Sequence, residues 1–369
     1  MNLNQYQEAA FKSSRIDWET PRGRQVAILG VLGELGSLAT VIKKRIRDGQ
    51  AYTTFLEDLA EESGDVLWYV AAIATHYELK LENAIAAGQR RGPIVGQNAH
   101  LWSLIDSVML LNSILAADDE YFAVDPENLE GPLGETAAKV LDAMSVEGLV
   151  LSDVLSANLE KTSALFLDVD GPAPHRDFEL PIYEQLPRQA LVQFIERLRG
   201  AVPEVLLRIN GLTMGDRLTD NSADPDGYRY HDVLHLGYLA VLGWSPVTRA
   251  LLRLKRKSKK EIDENQDGAR AIIIEEAITQ QIFSHAREYS LYRGVERLDY
   301  GTLKWVTRMV RGLEVERCTA AEWQRAILQG YAAFRSLNEH RGGYLIVDAE
   351  KRELRFSVDE PVASRSPDL

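Results

Sequence analysis

Two carboxylates that directly precede a strongly apolar stretch are the residues of this chain best placed to do chemistry. Glu62 and Asp65 stand three positions apart in "EDLAEESGDVLWYVAAIA" (57–74), and Asp58 lies one turn earlier on the same stripe. The apolar residues of this segment recur at helical spacing, which predicts a helix that enters a core. Carboxylates at the edge of a core are costly unless their charge is compensated.

A third carboxylate, Glu34, lies in the apolar middle of "ILGVLGELGSLATVIKKRIRDG" (28–49). A short connection at 48–52 would make this helix and the next one antiparallel neighbours. Glu34 stands about 14 residues before the connection, and the pair Glu62 and Asp65 stands about 10 to 13 residues after it. At about 1.5 Å per residue these heights match. The sequence therefore predicts that the three carboxylates converge.

Divalent cations would resolve the repulsion within such a cluster. No His or Cys lies nearby, and hard oxygen ligands point to Mg²⁺, with Mn²⁺ as the alternative. The predicted ligands are Glu34, Glu62, Asp65 and Asp58. The competing interpretation is ordinary helix charge, exposed or paired with Lys43 or Arg47.

Three glycines, Gly30, Gly33 and Gly36, surround Glu34 in the sequence. Each costs a helix about 1 kcal/mol relative to alanine. Three within seven positions indicate that another helix or a ligand approaches the backbone closely.

The two acidic helices, with "EESGDVLWYVA" in the second, resemble the MazG-like all-α nucleoside triphosphate pyrophosphohydrolases. That family carries an E-x-x-E motif and an E-x-x-D motif that hold Mg²⁺. The resemblance implies hydrolysis of a nucleoside triphosphate to the monophosphate and pyrophosphate. It covers residues 1–92, and "ANLEKTSALF" (157–166) is similar to a downstream N-x-x-K element, which implies nucleotide binding by Asn158 and Lys161.

The chain departs from the family pattern in two places. Ser37 stands where the first motif has its second glutamate, and a neutral hydroxyl is a poorer Mg²⁺ ligand than a carboxylate. Residues 93–150 also separate the acidic helices from the N-x-x-K element. A catalytically weakened nucleotide sensor that acts through the C-terminal domain is therefore the alternative to an active enzyme.

Roles for the remaining charged residues follow from this interpretation. Glu34 or Glu61 would orient the attacking water, and the lysines would contact phosphates as point charges. The predicted substrate-binding residues are Lys43, Lys44, Asn158 and Lys161.

A possible second site lies in the C-terminal half. His231 and His235 share a helix face in "DGYRYHDVLHLGYLAVLGWSP" (226–246), next to Asp232, and Glu275 and Glu276 lie in another apolar helix. Two histidines and a carboxylate can bind Zn²⁺ or Mn²⁺, which would suggest a separate metal-dependent hydrolase. The favoured alternative is a buried polar network that fixes helix packing.

The predicted fold is all-α, with a MazG-like helical bundle followed by a second, mainly helical domain that ends in a β-hairpin near 343–358. Helical patterns in the second half include 183–210, and the charged run 253–268 is predicted to be a solvated helix end and loop. The predicted domains are 1–167, with 93–150 an insertion or degenerate repeat, a linker at 168–181, the domain 182–360, and a disordered tail 361–369.

Composition narrows the function classes. The 369 residues are 45% hydrophobic and carry a net charge of −13, of which residues 1–167 contribute −11. This acidity argues against non-specific nucleic-acid binding by the first half. With Cys318 as the only cysteine there is no internal disulfide. No uninterrupted apolar run reaches about 18 residues and no signal peptide is evident, so we expect a cytoplasmic protein without a membrane span. A nucleoside triphosphate is the expected partner, and a homodimer stays open.

Overall fold

The structure is a computed structural model that describes residues 1–89, 105–106, 108–111, 113, 125–164 and 171–361. It divides the chain into two compact units, Met1–Phe166 (unit 1) and Leu167–Leu369 (unit 2). Much of the predicted 93–150 insertion and nearly all of the predicted tail lie outside the described residues.

Unit 1 is helical throughout its described part. The start of its second helix is confirmed, because the Thr20 side chain caps it by accepting a hydrogen bond from the Gly23 N–H (3.1 Å) and Pro21 occupies the first position. The helices are α1 (Leu3–Ser13), α2 (Pro21–Asp48), α3 (Phe55–His76), α4 (Leu81–Gln89), α5 (Pro126–Val146) and α6 (Leu151–Ala164).

Helix α3 is the centre of unit 1. It packs against α1, α2, α5 and α6, and Val66, Leu67 and Val70 on it are fully buried. Helix α2 covers one side of α3 and contributes Val31 and Leu38 to the same core. The apolar periodicity of the two segments therefore has the physical basis that the sequence indicates.

The outer face of α2 remains open, although it is apolar. Val26 is 48% exposed and Leu29 66% exposed. A Cβ added at Gly33 or Gly36 would meet nothing within 4 Å, whereas one at Gly30 would lie 2.2 Å from the ring of Tyr69. Among the described residues of unit 1, Gly30 is thus the one of the three with a close neighbour, namely a side chain of α3.

The apolar length of α2 bears on the expectation of a protein without a membrane span. Among the described residues, one helical stretch, Pro21–Ala51, is long and apolar enough to cross a membrane; its best window has a mean hydropathy of 1.7 and is 28% buried. The uninterrupted-run criterion missed it because Glu34 interrupts the apolar residues. Core helices of soluble proteins meet the same length and composition test.

Unit 2 combines helices with one antiparallel sheet in the order β3-β2-β1-β4-β5. Its helices are α7 (Asp232–Leu242), α8 (Pro246–Leu251), α9 (Lys260–Asn265), α10 (Ala269–Glu288), α11 (Tyr300–Met309) and α12 (Ala320–His340). Its strands are β1 (Gln189–Arg199), β2 (Val202–Ile209), β3 (Leu212–Leu218), β4 (Gly342–Asp348) and β5 (Glu353–Ser357).

The sheet corrects the all-α prediction, since the protein is predominantly helical but not purely so. The segment 183–210, predicted to be helical, forms β1 and β2. Its buried residues Ala190, Val192 and Phe194 alternate with less buried ones, which is strand periodicity. The predicted terminal hairpin is confirmed as β4 and β5, but it pairs with β1 and so belongs to the larger sheet.

The predicted linker also needs correction from residue 171 onward. Asp177 is 1% exposed; it accepts hydrogen bonds from the Leu186 N–H (2.8 Å) and from Arg249 Nη2 (2.6 Å). The three prolines and the absence of periodicity in this segment reflect an irregular path along unit 2. Asp177 anchors this path in the interior of unit 2.

The charged run 253–268 is not solvated throughout. Arg256 and Asp267 are fully buried and form a bidentate pair, with 2.7 Å between Arg256 Nη2 and Asp267 Oδ1. Glu314 binds the same guanidinium from another part of unit 2 (2.8 Å). Two of the residues that the sequence pattern assigned to the surface are thus part of the interior.

Candidate metal-binding active site

Three carboxylates converge between α2 and α3, as the sequence predicts. One oxygen each from Glu34, Glu62 and Asp65 can be chosen so that all three lie within 4.8 Å of one another, and all three residues are partly buried. This separation is short enough for the three groups to ligate a common cation.

The turn between the two helices sets the alignment. Helix α2 ends at Gly49, whose φ of +57° favours glycine, and a single 3₁₀ turn, Gly49–Ala51, leads to α3. Asp58 anchors this turn by accepting hydrogen bonds from the hydroxyls of Tyr52 and Thr54 (2.8 Å each). Among the described residues the metal-capable group of unit 1 does not include Asp58, which was a predicted ligand.

Asp65 receives two donors from α6. Lys161 Nζ lies 2.5 Å from Asp65 Oδ2 and also donates to Glu61 Oε1 (3.1 Å). Asn158 Nδ2 donates to Asp65 Oδ1 (2.8 Å). The predicted N-x-x-K residues therefore reach the acidic cluster, where they contact carboxylates of α3.

A buried tyrosine completes the support of Asp65. Tyr6 on α1 is fully buried; its hydroxyl donates to Asn158 Oδ1 (2.8 Å) and lies 3.2 Å from the Gly64 carbonyl oxygen. This contact fixes the orientation of the Asn158 amide, so that its nitrogen points to Asp65. Sequence reasoning missed Tyr6, because a single tyrosine in a short helix carries no signal of a partner 152 positions away.

The cluster strongly perturbs the ionisation of Glu34. Burial, with the charges of Asp65 and Glu62, raises the pKa of Glu34 from 4.5 to about 7, and Lys161 only partly opposes the shift. Burial and the charge of Glu34 also raise the pKa of Tyr69, which sequence reasoning overlooked. Tyr69 follows Asp65 by one helical turn, and this spacing could have predicted that both side chains lie on the same face of α3. A carboxyl group with a pKa near 7 can exchange protons at neutral pH.

The other predicted substrate-binding residues lie further away. Lys43 and Lys44 are exposed and follow Glu34 by nine and ten residues, about 14 Å along the helix axis. Lys44 Nζ lies 5.8 Å from the centre of the Tyr52 ring near the end of α2. Ser37 is partly buried one turn beyond Glu34.

Unit 2 contains a second group of metal-capable residues, His231, Asp232 and His235, whose donor atoms also lie within 4.8 Å of one another. Glu275 is completely buried, and its Oε1 lies 2.8 Å from His235 Nδ1. Glu276 Oε2 lies 3.6 Å from His235 Nε2. Burial lowers the pKa of His235, but Glu275 and Glu276 outweigh it and raise that pKa to about 10. The structure thus brings the five residues of the predicted second site together.

Unit 1 therefore contains a candidate cation-dependent site for an anionic substrate. It consists of the carboxylate oxygens gathered between α2 and α3, with Lys161 beside them. Comparison with known proteins supplies the family. The family model for the MazG C-terminal domain matches residues 172–360, which is just over half of the chain. The chain belongs to the family with this C-terminal domain.

This match falls on unit 2, which the sequence analysis left unassigned. It does not cover residues 1–92, so the resemblance seen there stays a prediction. The Gene 37 protein of Mycobacterium phage L5 is 31% identical over 109 residues, 26% of this chain and 96% of that protein. No solved structure matches the chain. MazG-like proteins generally use divalent metals.

Proposed function

We propose that unit 1 hydrolyses a nucleoside triphosphate to the monophosphate and pyrophosphate, with Mg²⁺ or Mn²⁺ as cofactor. The convergence of Glu34, Glu62 and Asp65 carries the proposal. Asn158 and Lys161 of the N-x-x-K element contact Asp65 of the E-x-x-D segment, so the two motifs that carry the resemblance meet at this cluster.

The donor set fits a hard divalent cation. All three candidate ligands offer carboxylate oxygen, which suits Mg²⁺ and Mn²⁺ better than softer metals. The raised pKa of Glu34 supports the same assignment, since burial and the charges of Asp65 and Glu62 both disfavour its ionised form and a bound cation would oppose both effects. A triphosphate carries close to four negative charges at neutral pH and would enter this acidic site only with cations.

Each residue then has a distinct task. Glu34, Glu62 and Asp65 would hold the cation, which when bound supplies charge neutralisation and polarises the phosphoryl oxygens. Glu61 is positioned to orient water, because its carboxylate lies at the edge of the cluster with Lys161 as neighbour. Lys161 would exchange part of its contact with Asp65 and Glu61 for a phosphate oxygen. Asn158 holds Asp65 in place.

The exposed apolar face of α2 is where a second copy of the chain would pack in a homodimer. Val26 and Leu29 on that face project outward, and the open backbone at Gly33 and Gly36 permits close approach of another helix. Size-exclusion chromatography with light scattering tests this part of the proposal.

Product analysis is the direct test of the activity. A panel of nucleoside triphosphates with Mg²⁺ should release pyrophosphate and a monophosphate, and Asp65→Asn should lower turnover by about 10²-fold or more, because a ligand that stabilises transition-state charge is lost. Folding should survive, since asparagine retains the shape, relieves repulsion with the other carboxylates and leaves Lys161 paired with Glu61. Asp153→Asn, an exposed carboxylate on α6, is the matched control and should retain full turnover.

Two results would contradict the assignment. Release of orthophosphate would place the attack at a different phosphorus, and an Asp65→Asn variant as fast as the parent would remove Asp65 from the reaction. Circular dichroism of both variants separates these results from misfolding.

Ser37 favours one second candidate, a nucleotide sensor with little or no turnover. The serine offers no charge where the family motif has a carboxylate. Tight, Mg²⁺-dependent nucleotide binding without product supports the sensor, and Ser37→Glu should then raise turnover. An active parent protein excludes it.

A further inference from the structure

The His231, Asp232 and His235 cluster of unit 2 has no part in the proposed reaction of unit 1. It differs from the unit 1 cluster in its donors, since two of the three are imidazole nitrogens. It lies at the start of α7, and Glu276 on α10 stands beside it.

Hydrogen bonds fix the tautomer of both histidines. His231 Nδ1 lies 2.9 Å from the Tyr228 carbonyl oxygen, which can only accept, so this nitrogen carries the proton. His235 Nδ1 lies 2.8 Å from Glu275 Oε1. Glu275 also accepts from the Ser245 hydroxyl and from the Val247 N–H, and it is therefore the acceptor of the His235 Nδ1–H. With Nδ1 as the donor in both rings, Nε2 is the nitrogen of each histidine that can bind a metal, and at His235 the metal would displace a proton.

His235 Nε2 has no hydrogen-bond partner. His235 is 1% exposed, and its Nε2 is completely buried without a donor or acceptor at hydrogen-bond distance. The nearest carboxylate contact of this nitrogen is Glu276 Oε2, at 3.6 Å. A buried polar nitrogen without a partner is unfavourable, so its position calls for a ligand.

The surroundings match those of histidines that bind metals. A metal-ligating histidine usually donates its second ring nitrogen to a carboxylate or a backbone carbonyl, which orients the ring and raises its basicity. Glu275 does this for His235, and the Tyr228 carbonyl does it for His231. The Tyr228 ring also stacks on the His231 ring (4.3 Å between centres, 3° between planes) and limits its rotation.

The spacing and the access suit a small transition-metal ion. Donors about 2.0 to 2.1 Å from a tetrahedral Zn²⁺ are separated by about 3.3 Å, and His231 Nε2 lies 3.2 Å from Asp232 Oδ1. The His231 and Asp232 side chains are 12% and 17% exposed, so an ion can enter from solvent. Imidazole ligands favour Zn²⁺ over Mg²⁺.

From this geometry we propose that His231, Asp232 and His235 bind a divalent transition metal of the Zn²⁺ type, with Glu276 as an additional oxygen donor. Glu275 is a positioning residue that acts through His235. The site is separate from the carboxylate site of unit 1 and differs from it in metal preference.

Metal binding by the full chain tests the proposal. The protein is stripped with a chelating resin and titrated with Zn²⁺ in millimolar Mg²⁺, which competes at the oxygen site. The parent should bind one Zn²⁺ at this cluster, and His231→Gln should weaken binding at least 10-fold. His340→Gln, an exposed histidine on α12, is the matched control and should bind like the parent.

Co²⁺ provides a second measurement that does not depend on the variants. Histidine ligands in a four-coordinate site give Co²⁺ an intense visible absorption, which the parent should show and which Asp65→Asn in unit 1 should retain. A parent without this absorption, or Zn²⁺ affinities that are equal for the parent and His231→Gln, would overturn the proposal. The cluster would then be a buried ion-pair network in which a proton occupies His235 Nε2.

Discussion

The surroundings of buried carboxylates shift their pKa values in opposite directions in the two units. In unit 2, burial would raise the pKa of Asp177, yet the Leu186 N–H, Arg188 and Arg249 outweigh burial and lower it. In unit 1, burial raises the pKa of Glu34 and the neighbouring carboxylates raise it further. The first arrangement stabilises a fold. The second stores an unfavourable charge that a cation would relieve, which is the property expected of a binding site.

The same contrast separates two sets of residues within unit 2. Arg256, Asp267 and Glu314 satisfy one another through several charge-assisted hydrogen bonds. His235, by comparison, keeps a buried nitrogen without a hydrogen-bond partner. Burial of a charged or polar group is therefore a weak indicator of function by itself, and incomplete satisfaction is the better one.

The largest effect on the free energy of unfolding should come from the network of Arg256, Asp267 and Glu314. Asp267→Asn keeps the shape of the side chain but leaves Arg256 with one carboxylate partner in place of two. Breaking a buried pair costs about 3 to 5 kcal/mol, and because Glu314 remains we expect about 3 kcal/mol, measured by urea unfolding. Glu264→Gln, an exposed carboxylate 3.9 Å from Lys260, should change the unfolding free energy by less than about 0.5 kcal/mol. Equal effects of the two variants would show that the network does not stabilise unit 2.

Glu34→Gln should have the opposite effect on stability, because it should stabilise unit 1. The folded pKa of Glu34 is about 7 against 4.5 for the ordinary group, so the folded state holds this proton more tightly than the unfolded state. Its contribution to stability is present below about pH 4.5 and is lost as the pH rises to about 7. Without divalent cations at pH 8, the variant should melt at a higher temperature than the parent, and the difference should vanish near pH 4.5.

Added Mg²⁺ completes this test. It should raise the melting temperature of the parent at pH 8 and that of Glu34→Gln by less, because the variant has lost one ligand. If the parent melts at the same temperature at pH 5 and pH 8 and does not respond to Mg²⁺, the carboxylates of unit 1 are not coupled as the structure indicates.

Two alanine substitutions in α2 give the smallest expected effects and compare its two faces. Gly33→Ala adds a methyl group into open space and should stabilise unit 1 by up to about 1 kcal/mol. Gly30→Ala should destabilise it, because the new Cβ would lie 2.2 Å from the Tyr69 ring. Thermal melting of the two variants measures both signs. Destabilisation by Gly33→Ala would show instead that the outer face is covered in solution, as a homodimer requires.

Local signals in the sequence predicted most of unit 1. The Thr20–Pro21 start of α2 and the equal heights of Glu34 and Asp65 about a short turn depend on neighbours in sequence, so they could be found. Strands β1 and β2 were missed because their apolar residues also fit a helical pattern, and β1 becomes the central strand only by pairing with β4, about 150 residues later. Arg256 and Asp267 were missed because their surroundings in sequence are charged, and burial is decided by tertiary contacts.

The contacts of Asp65 also set the order in which unit 1 can be completed during synthesis. Its donors Asn158 and Lys161 lie 93 and 96 positions later in the chain. While α2 and α3 emerge from the ribosome, their carboxylates face one another without the lysine that α6 brings. An emerging chain that ends before residue 161 therefore lacks the lysine that pairs with Asp65 and Glu61 in the completed unit.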